Sequence, residues 1–162
     1  MSATPATPAT LKLASRAFHH EGRIPLRHTA DGEDLSPPLS WSAPPEATRS
    51  LALICDDPDA PMGVWVHWVL YDLSPSTTSL AEGIPTDREL EGGARQGKND
   101  FGRIGYGGPS PPKGPAHRYC FKLYALDTKL PLPEDAGKQQ VEAAMEGHIL
   151  AMGQIVAMYG RD

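Results

Sequence analysis

Leu51-Ala52-Leu53-Ile54-Cys55, closed by Asp56-Asp57-Pro58, and then Trp65-Val66-His67-Trp68-Val69-Leu70-Tyr71 form the stretch from which the fold is read. Both runs are apolar on both parities, the pattern of central strands buried on both faces of a sheet. Tyr119-Cys120-Phe121-Lys122-Leu123-Tyr124-Ala125-Leu126 reads as a third strand of the same kind. Weaker strand signals lie near 11–15 and 149–159, the latter equally open to a helical reading. One helix is expected after Glu134 and Asp135, over Lys138 to His148, where Val141, Ala144, Met145 and His148 share a face and Gly147 marks the end.

Composition agrees with a strand-and-loop molecule. The chain has 162 residues, enough for one domain that buries roughly two-thirds of its unfolded surface. Its 17 prolines and 16 glycines make up about a fifth of the sequence, against about an eighth in average usage. Helix interiors tolerate neither residue, so the excess argues against a helical bundle. Residues 1–10, all Ala, Thr and Pro apart from Met1 and Ser2, are expected to form a disordered tail, leaving 11–162 as a single domain.

The formal net charge is −5 and no basic stripe is present, which argues against nucleic acid as a partner. No apolar run approaches the about 18 residues that cross a membrane as a helix. The first ten residues carry neither a basic n-region nor an apolar h-region, so no secretory signal is read there. Cys55 and Cys120 sit in apolar runs and read as buried free thiols in a reducing compartment, which makes a cytoplasmic location the expectation.

Alternate residues of a strand face the same way. Leu51, Leu53, Cys55 and Asp57 share one parity. Trp65, His67 and Val69 share another, and His117, Tyr119, Phe121 and Leu123 a third. Asp57, His67 and His117 can therefore converge at one sheet end, lined by Trp65 and Tyr119. Asp57-Pro58-Asp59-Ala60-Pro61 reads as a stiff turn in which the aspartates accept from nearby N–H groups. Its ordinary reading is purely structural. A buried imidazole such as His67 needs partners for both nitrogens and is more often a satisfied core residue. His117, at the edge of another strand, weakens that reading. His19, His20, His28 and His148 read as surface residues. Gly105 to Gly114, rich in glycine and proline, is either an irregular surface loop or a shaped one with free N–H groups for an anion.

Several enzyme templates fail. No GxSxG elbow, HExxH or CxxC occurs. Gly92-Gly93-Ala94-Arg95-Gln96-Gly97-Lys98-Asn99 approaches a phosphate-binding loop, but Asn99 stands where a magnesium-binding Ser or Thr is needed.

Asp57-Pro58-Asp59-Ala60-Pro61, then Trp65 and His67, then a Pro-Pro-Lys-Gly loop leading into Pro115-Ala116-His117-Arg118-Tyr119, closely resemble the phosphatidylethanolamine-binding proteins, in particular their bacterial Raf-kinase-inhibitor-like branch. The resemblance covers about residues 10–160. It departs at Gly114-Pro115-Ala116-His117, which has one residue more than the usual motif between Gly and His. It implies a mainly β fold, antiparallel β-sheets packed together with a few short peripheral helices. It implies a pocket for phosphate or a phospholipid headgroup, at Asp57, Ala60, Pro61, Trp65, His67, Gly108, Pro111, His117 and Tyr119. Pro58, Asp59 and Arg118 take structural parts: Arg118, of opposite parity to His117, is expected outside the pocket and paired with an aspartate of the 56–59 turn. The eukaryotic relatives border the pocket with a C-terminal helix; a chain stopping at Asp162 suggests a more open pocket or one bordered by a partner, and a homodimer is implied.

The expected function is that of a non-enzymatic binding or regulatory protein, with no cofactor and no metal. His67, His117 and the Tyr119 hydroxyl would hold a small phosphorylated or anionic ligand, Asp57 orienting one imidazole and keeping it protonated. Inhibition of a kinase or protease is compatible with the same pocket. The alternative is a hydrolase or metal-dependent enzyme built on Asp57, His67 and His117.

Overall fold

The computed structural model describes residues 8–134 and 136–162. In chain order its elements are β1 (Ala9–Thr10), β2 (Leu13–Ala14), β3 (Gly22–Arg23), a 3-10 turn (Leu26–His28), β4 (Leu39–Trp41), β5 (Ser50–Asp57), β6 (Trp65–Leu73), β7 (Ser79–Leu80), β8 (Arg95–Gln96), β9 (His117–Leu126), α1 (Lys138–Met145) and β10 (Ile149–Tyr159). A seven-stranded sheet runs β1-β10-β9-β5-β6-β8, with β3 also paired to β10; β2, β4 and β7 form a second sheet. The long pairings, β10 with β9, β9 with β5 and β5 with β6, are all antiparallel.

The three expected strands are the centre of the large sheet, and β5 is buried at every position. Their two parities feed two cores. Leu51, Leu53, Trp68, Leu70, Phe121 and Leu123 enter the core shared with the small sheet. Ala52, Ile54, Val69, Tyr71 and Leu126 enter a second core that α1 closes with Val141 and Met145. The two-sided apolar pattern thus has a direct cause: each face of the sheet has a cover.

The ambiguous segment at 149–159 is a strand, because it pairs with all of β9 and puts Ala151, Ile155 and Ala157 into the first core. The helix is shorter than expected. It ends at Met145, and His148 lies beyond Gly147, whose φ of 82° breaks the helical path. Residues 1–7 of the expected tail, and Asp135, lie outside the described residues. Ala9 and Thr10 correct the tail at its end: they form a strand, parallel to β10. The backbone supplied that pairing, so side-chain composition did not reveal it.

Between β6 and β9 the chain contains little regular structure, yet it is tied to the sheet. Gln96 is fully buried; its side chain accepts from Trp68 Nε1 (2.7 Å) and donates to the carbonyls of Pro85 (2.7 Å) and Asp87 (2.8 Å). Asn99 does comparable work on the next turn, donating to Gly105 O and accepting from the N–H groups of Phe101 and Arg103. The asparagine that spoils the phosphate-loop pattern is a turn builder. His28, expected on the surface, is 1% exposed, held between Leu35 O (2.9 Å) and Glu82 (3.5 Å).

Leu53 lies in the centre of the large sheet with no exposed surface. Leu53→Ala is expected to cost about 2–5 kcal/mol, whereas Val64→Ser, at a half-exposed position, is expected to change stability by less than about 0.5 kcal/mol. Urea unfolding midpoints of the two variants check the contrast.

Candidate functional site

The DPDAP segment leaves β5 as a turn whose two aspartates have different jobs. Asp57, 4% exposed, accepts the Asp59 N–H through Oδ1 (2.7 Å), closing the turn. Its Oδ2 accepts from His117 Nδ1 at 2.7 Å. Asp59 reaches the next residue: Oδ2 accepts from the Arg118 N–H (2.9 Å) and Nε (3.0 Å), and Oδ1 from Nη2 (2.9 Å). The Arg118 guanidinium holds the Asp59 carboxyl down at about 2. Arg118 therefore lies outside the cavity and is paired with a turn aspartate.

His67 reaches the same place by a different device. In the β5–β6 ladder Cys55 pairs with Trp68 and Asp56 with Val66, which leaves His67 as an extra residue on β6. This bulge puts His67 on the face of Asp57 and Trp65, while Val69 turns into the second core. The shared parity of His67 and Val69 expected from simple alternation is corrected by that bulge. His67 Nδ1 donates to Gly107 O at 2.6 Å, and the Gly107 N–H donates back to His67 O at 2.9 Å. A carbonyl can only accept, so Nδ1 carries the proton and the neutral ring keeps Nε2 as an acceptor. Burial pushes the His67 pKa below its ordinary value near 6.5, outweighing the Gly107 bond and the nearby carboxylates. Tyr119, 1% exposed, has its phenol pKa raised by burial and stays a proton donor.

These side chains line one cavity of about 250 Å³. Asp57, His67, His117 and Tyr119 meet there. Ala60, Pro61, Trp65 and Pro111 complete the part that the sequence pointed to. Trp65 and His67 each meet Phe101 edge-on, with ring centroids 5.5 and 5.4 Å apart, and His67 meets Tyr119 at 5.1 Å. Gly108 is not among the lining residues. Its N–H is taken by Asp34 Oδ1 at 2.7 Å, and a Cβ there would sit 2.5 Å from that oxygen. The expected anion contact at Gly108 is thereby corrected: this glycine allows the loop to approach the 28–34 turn.

Met62, Phe101, Ser110 and Pro112 also line the cavity and were missed. Met62, Ser110 and Pro112 adjoin the two motifs and could have been found by extending them. Phe101 carries no sequence signal; it is placed by Asn99, and by Asp100 accepting the Val66 N–H at 2.7 Å. Among the described residues, no Lys or Arg lines the cavity. The described residues contain no cluster of His, Cys, Asp and Glu suited to a metal ion. Each Asp57 oxygen already accepts one hydrogen bond, which fixes the carboxylate's orientation. Cys55 and Cys120 are buried free thiols. They face opposite sides of the sheet, since Cys55 pairs with Phe121 and Cys120 with Asp56. No helix among the described residues is long and apolar enough to cross a membrane.

Comparison with known proteins agrees with this architecture. A family model described as phosphatidylethanolamine-binding protein matches residues 14–160. A UPF0098 protein of Methanothermobacter thermautotrophicus is 52% identical over 151 residues, covering 93% of this chain and 99% of that one. One from Aquifex aeolicus is 47% identical over 156 residues, covering 95% and 91%. Among solved structures, a protein of Chlamydia trachomatis described as a putative phosphatidylethanolamine-binding protein homolog superimposes with a TM-score of 0.86 at 41% identity, over 94% of this chain and 99% of that one. YbcL of E. coli, described as a new member of the mammalian family, gives 0.87 at 33% identity, over 95% and 100%. Family model, relatives and fold agree, and the chain belongs to the phosphatidylethanolamine-binding protein family.

Proposed function

We propose that this protein is a non-enzymatic binding protein whose cavity takes a small phosphate monoester such as a phospholipid headgroup. The observation that carries the reading is the pairing of two differently held imidazoles, His117 through Asp57 and His67 through Gly107. Each has its Nδ1 committed, so each presents Nε2 for a ligand. Size supports a headgroup: drug-sized ligands fill roughly 300–1,000 Å³, and the cavity here is about 250 Å³. An acyl chain would have to remain outside it.

The protonation of the ligand follows from the geometry. A neutral His67 accepts rather than donates, and among the described residues no Lys or Arg lines the cavity. The ligand therefore brings a proton, as a P–OH of the monoanion, or His67 takes one up on binding. A phosphate monoester loses that proton near pH 6. The Asp57 carboxylate adds repulsion against a dianion and favours a zwitterion carrying an amine. Control of a kinase or protease, and assembly as a homodimer, are proposals that rest on the family relationship alone. The hydrolase alternative would have to use water or the Ser110 hydroxyl, which lines the same cavity and already meets Arg161 Nη2 at 3.3 Å.

Amide and imidazole NMR signals, followed during titration with phosphoethanolamine and separately with inorganic phosphate at pH 6, test the reading. Shifts confined to His67, His117, Tyr119 and the 107–112 loop are expected, with His117→Ala abolishing them. Absence of shifts at millimolar ligand would remove the headgroup assignment and leave the fold untouched.

The pH dependence has a definite sign. In the free protein His67 is expected to titrate below 6.5, since burial disfavours its charged form. Protonation thus opposes folding, and the contribution of the neutral ring is complete above 6.5 and lost as pH falls through the lowered pKa. Ligand affinity runs the other way: it is expected to fall more than about tenfold between pH 6 and pH 8, as the ligand's proton is lost. Calorimetric affinities that stay level across that range would sink the proton-linked model.

A further inference from the structure

The loop from Gly108 to Gly114 forms one wall of the cavity through Ser110, Pro111 and Pro112. Glycine and proline give it few side chains with which to hold itself. Its support comes from two other parts of the chain. The 28–34 turn supplies the Ala30 N–H to Pro109 O (2.9 Å) and Asp34 to the Gly108 N–H. Arg161, just after β10, supplies the rest. Its Nη1 donates to Pro111 O at 2.8 Å, its Nη2 reaches Ser110 Oγ at 3.3 Å, and its carbonyl accepts the Gly114 N–H at 3.0 Å.

The guanidinium is itself fixed. Nε and Nη2 grip the two oxygens of Asp31 at 2.9 and 2.6 Å, and the Tyr159 hydroxyl donates to Asp31 Oδ2 at 2.5 Å. These contacts hold the Asp31 carboxyl at about 2, so the pair is ionised across the working pH range. Gly160 lets the segment pass the loop closely, since a Cβ there would lie 2.8 Å from Ala116 Cα. One planar group thus spans Asp31, Ser110 and Pro111. An ammonium has no fork and spans them poorly.

We infer that Arg161, anchored on Asp31, is the positioning residue for the loop wall of the cavity, and that its planar fork rather than its charge sets the affinity for a phosphate-type ligand. The ligand part of this inference rests on the binding reading above. Arg161 is not a lining residue, so its effect passes through Ser110 and Pro111.

Arg161→Lys, Arg161→Gln and Asp31→Asn test it together, each read by phosphoethanolamine titration and by amide hydrogen exchange. All three are expected to weaken binding by about tenfold. All three are expected to speed exchange at Gly108 and Gly114, while amides of β5 and β9 keep their protection. A general structural defect would instead speed exchange in those strands as well. Wild-type affinity and exchange in Arg161→Lys would show that charge suffices and overturn the inference, as would unchanged behaviour in Arg161→Gln. If the wild-type protein binds no phosphoethanolamine, the ligand reading fails and exchange at Gly108 and Gly114 alone decides the positioning role.

Discussion

Two motifs 60 residues apart are locked in register by a turn that hands one carboxylate to each of two consecutive residues. Asp57 takes His117 and Asp59 takes Arg118. Strand parity sends these two side chains to opposite faces, so the clamp holds β9 from both sides. Charge-assisted hydrogen bonds are the stronger kind, and the Asp57 member is shielded from solvent. With the clamp in place, the end of β9 has one position relative to β5. The cavity lies on the inner side of that clamp, and Arg118 keeps the Asp59 charge out of it.

The second constraint is the bulge at His67. Without an extra residue on β6, a side chain facing Asp57 and one filling the core at Trp68 could not both be met by consecutive residues. The bulge permits both, and the reciprocal bonds with Gly107 fix the ring once it has turned. The two histidines consequently differ. His117 is tied to a carboxylate and is 12% exposed, while His67 is tied to a neutral carbonyl and is disfavoured as a cation. Identical residue types thus enter the site in distinct electrostatic settings, each set by the acceptor on Nδ1.

The sequence made the sheet legible because both parities of its three central strands are apolar, and both faces are in fact covered. The convergence of Asp57, His67 and His117 was legible for a related reason: each sits in or at the end of a long buried strand. Parity opposite to His117 put Arg118 outside the pocket; that its partner is Asp59 is set by the turn. Other features had no such signal. A one-residue bulge is invisible in a continuous apolar run such as Trp65 to Tyr71. The short strands Ala9–Thr10 and Arg95–Gln96 are defined by backbone pairing, which composition does not encode. Gly108 looked like a ligand contact because glycine permits close approach; the approaching group is the Asp34 side chain. Phe101 and Arg161 lie in segments with no periodicity, placed by hydrogen bonds that a residue pattern does not encode.

Those contacts also bear on what kind of site this is. Each carboxylate oxygen carries two lone pairs, so a carboxylate bonded once at each oxygen is held in place and not exhausted. Asp57 gives one oxygen to its own turn and the other to His117, and the turn cannot release the first without loosening the clamp. His67 is likewise held by a residue whose N–H it satisfies in return. The polar groups at the cavity include the Nε2 positions of two rings, a phenol and the Ser110 hydroxyl, set among Trp65, Phe101 and proline. Such a set matches a ligand by the complementarity of donors and acceptors. Preorganisation of this sort limits the entropy lost on binding, which offsets the lack of a Lys or Arg among the lining residues.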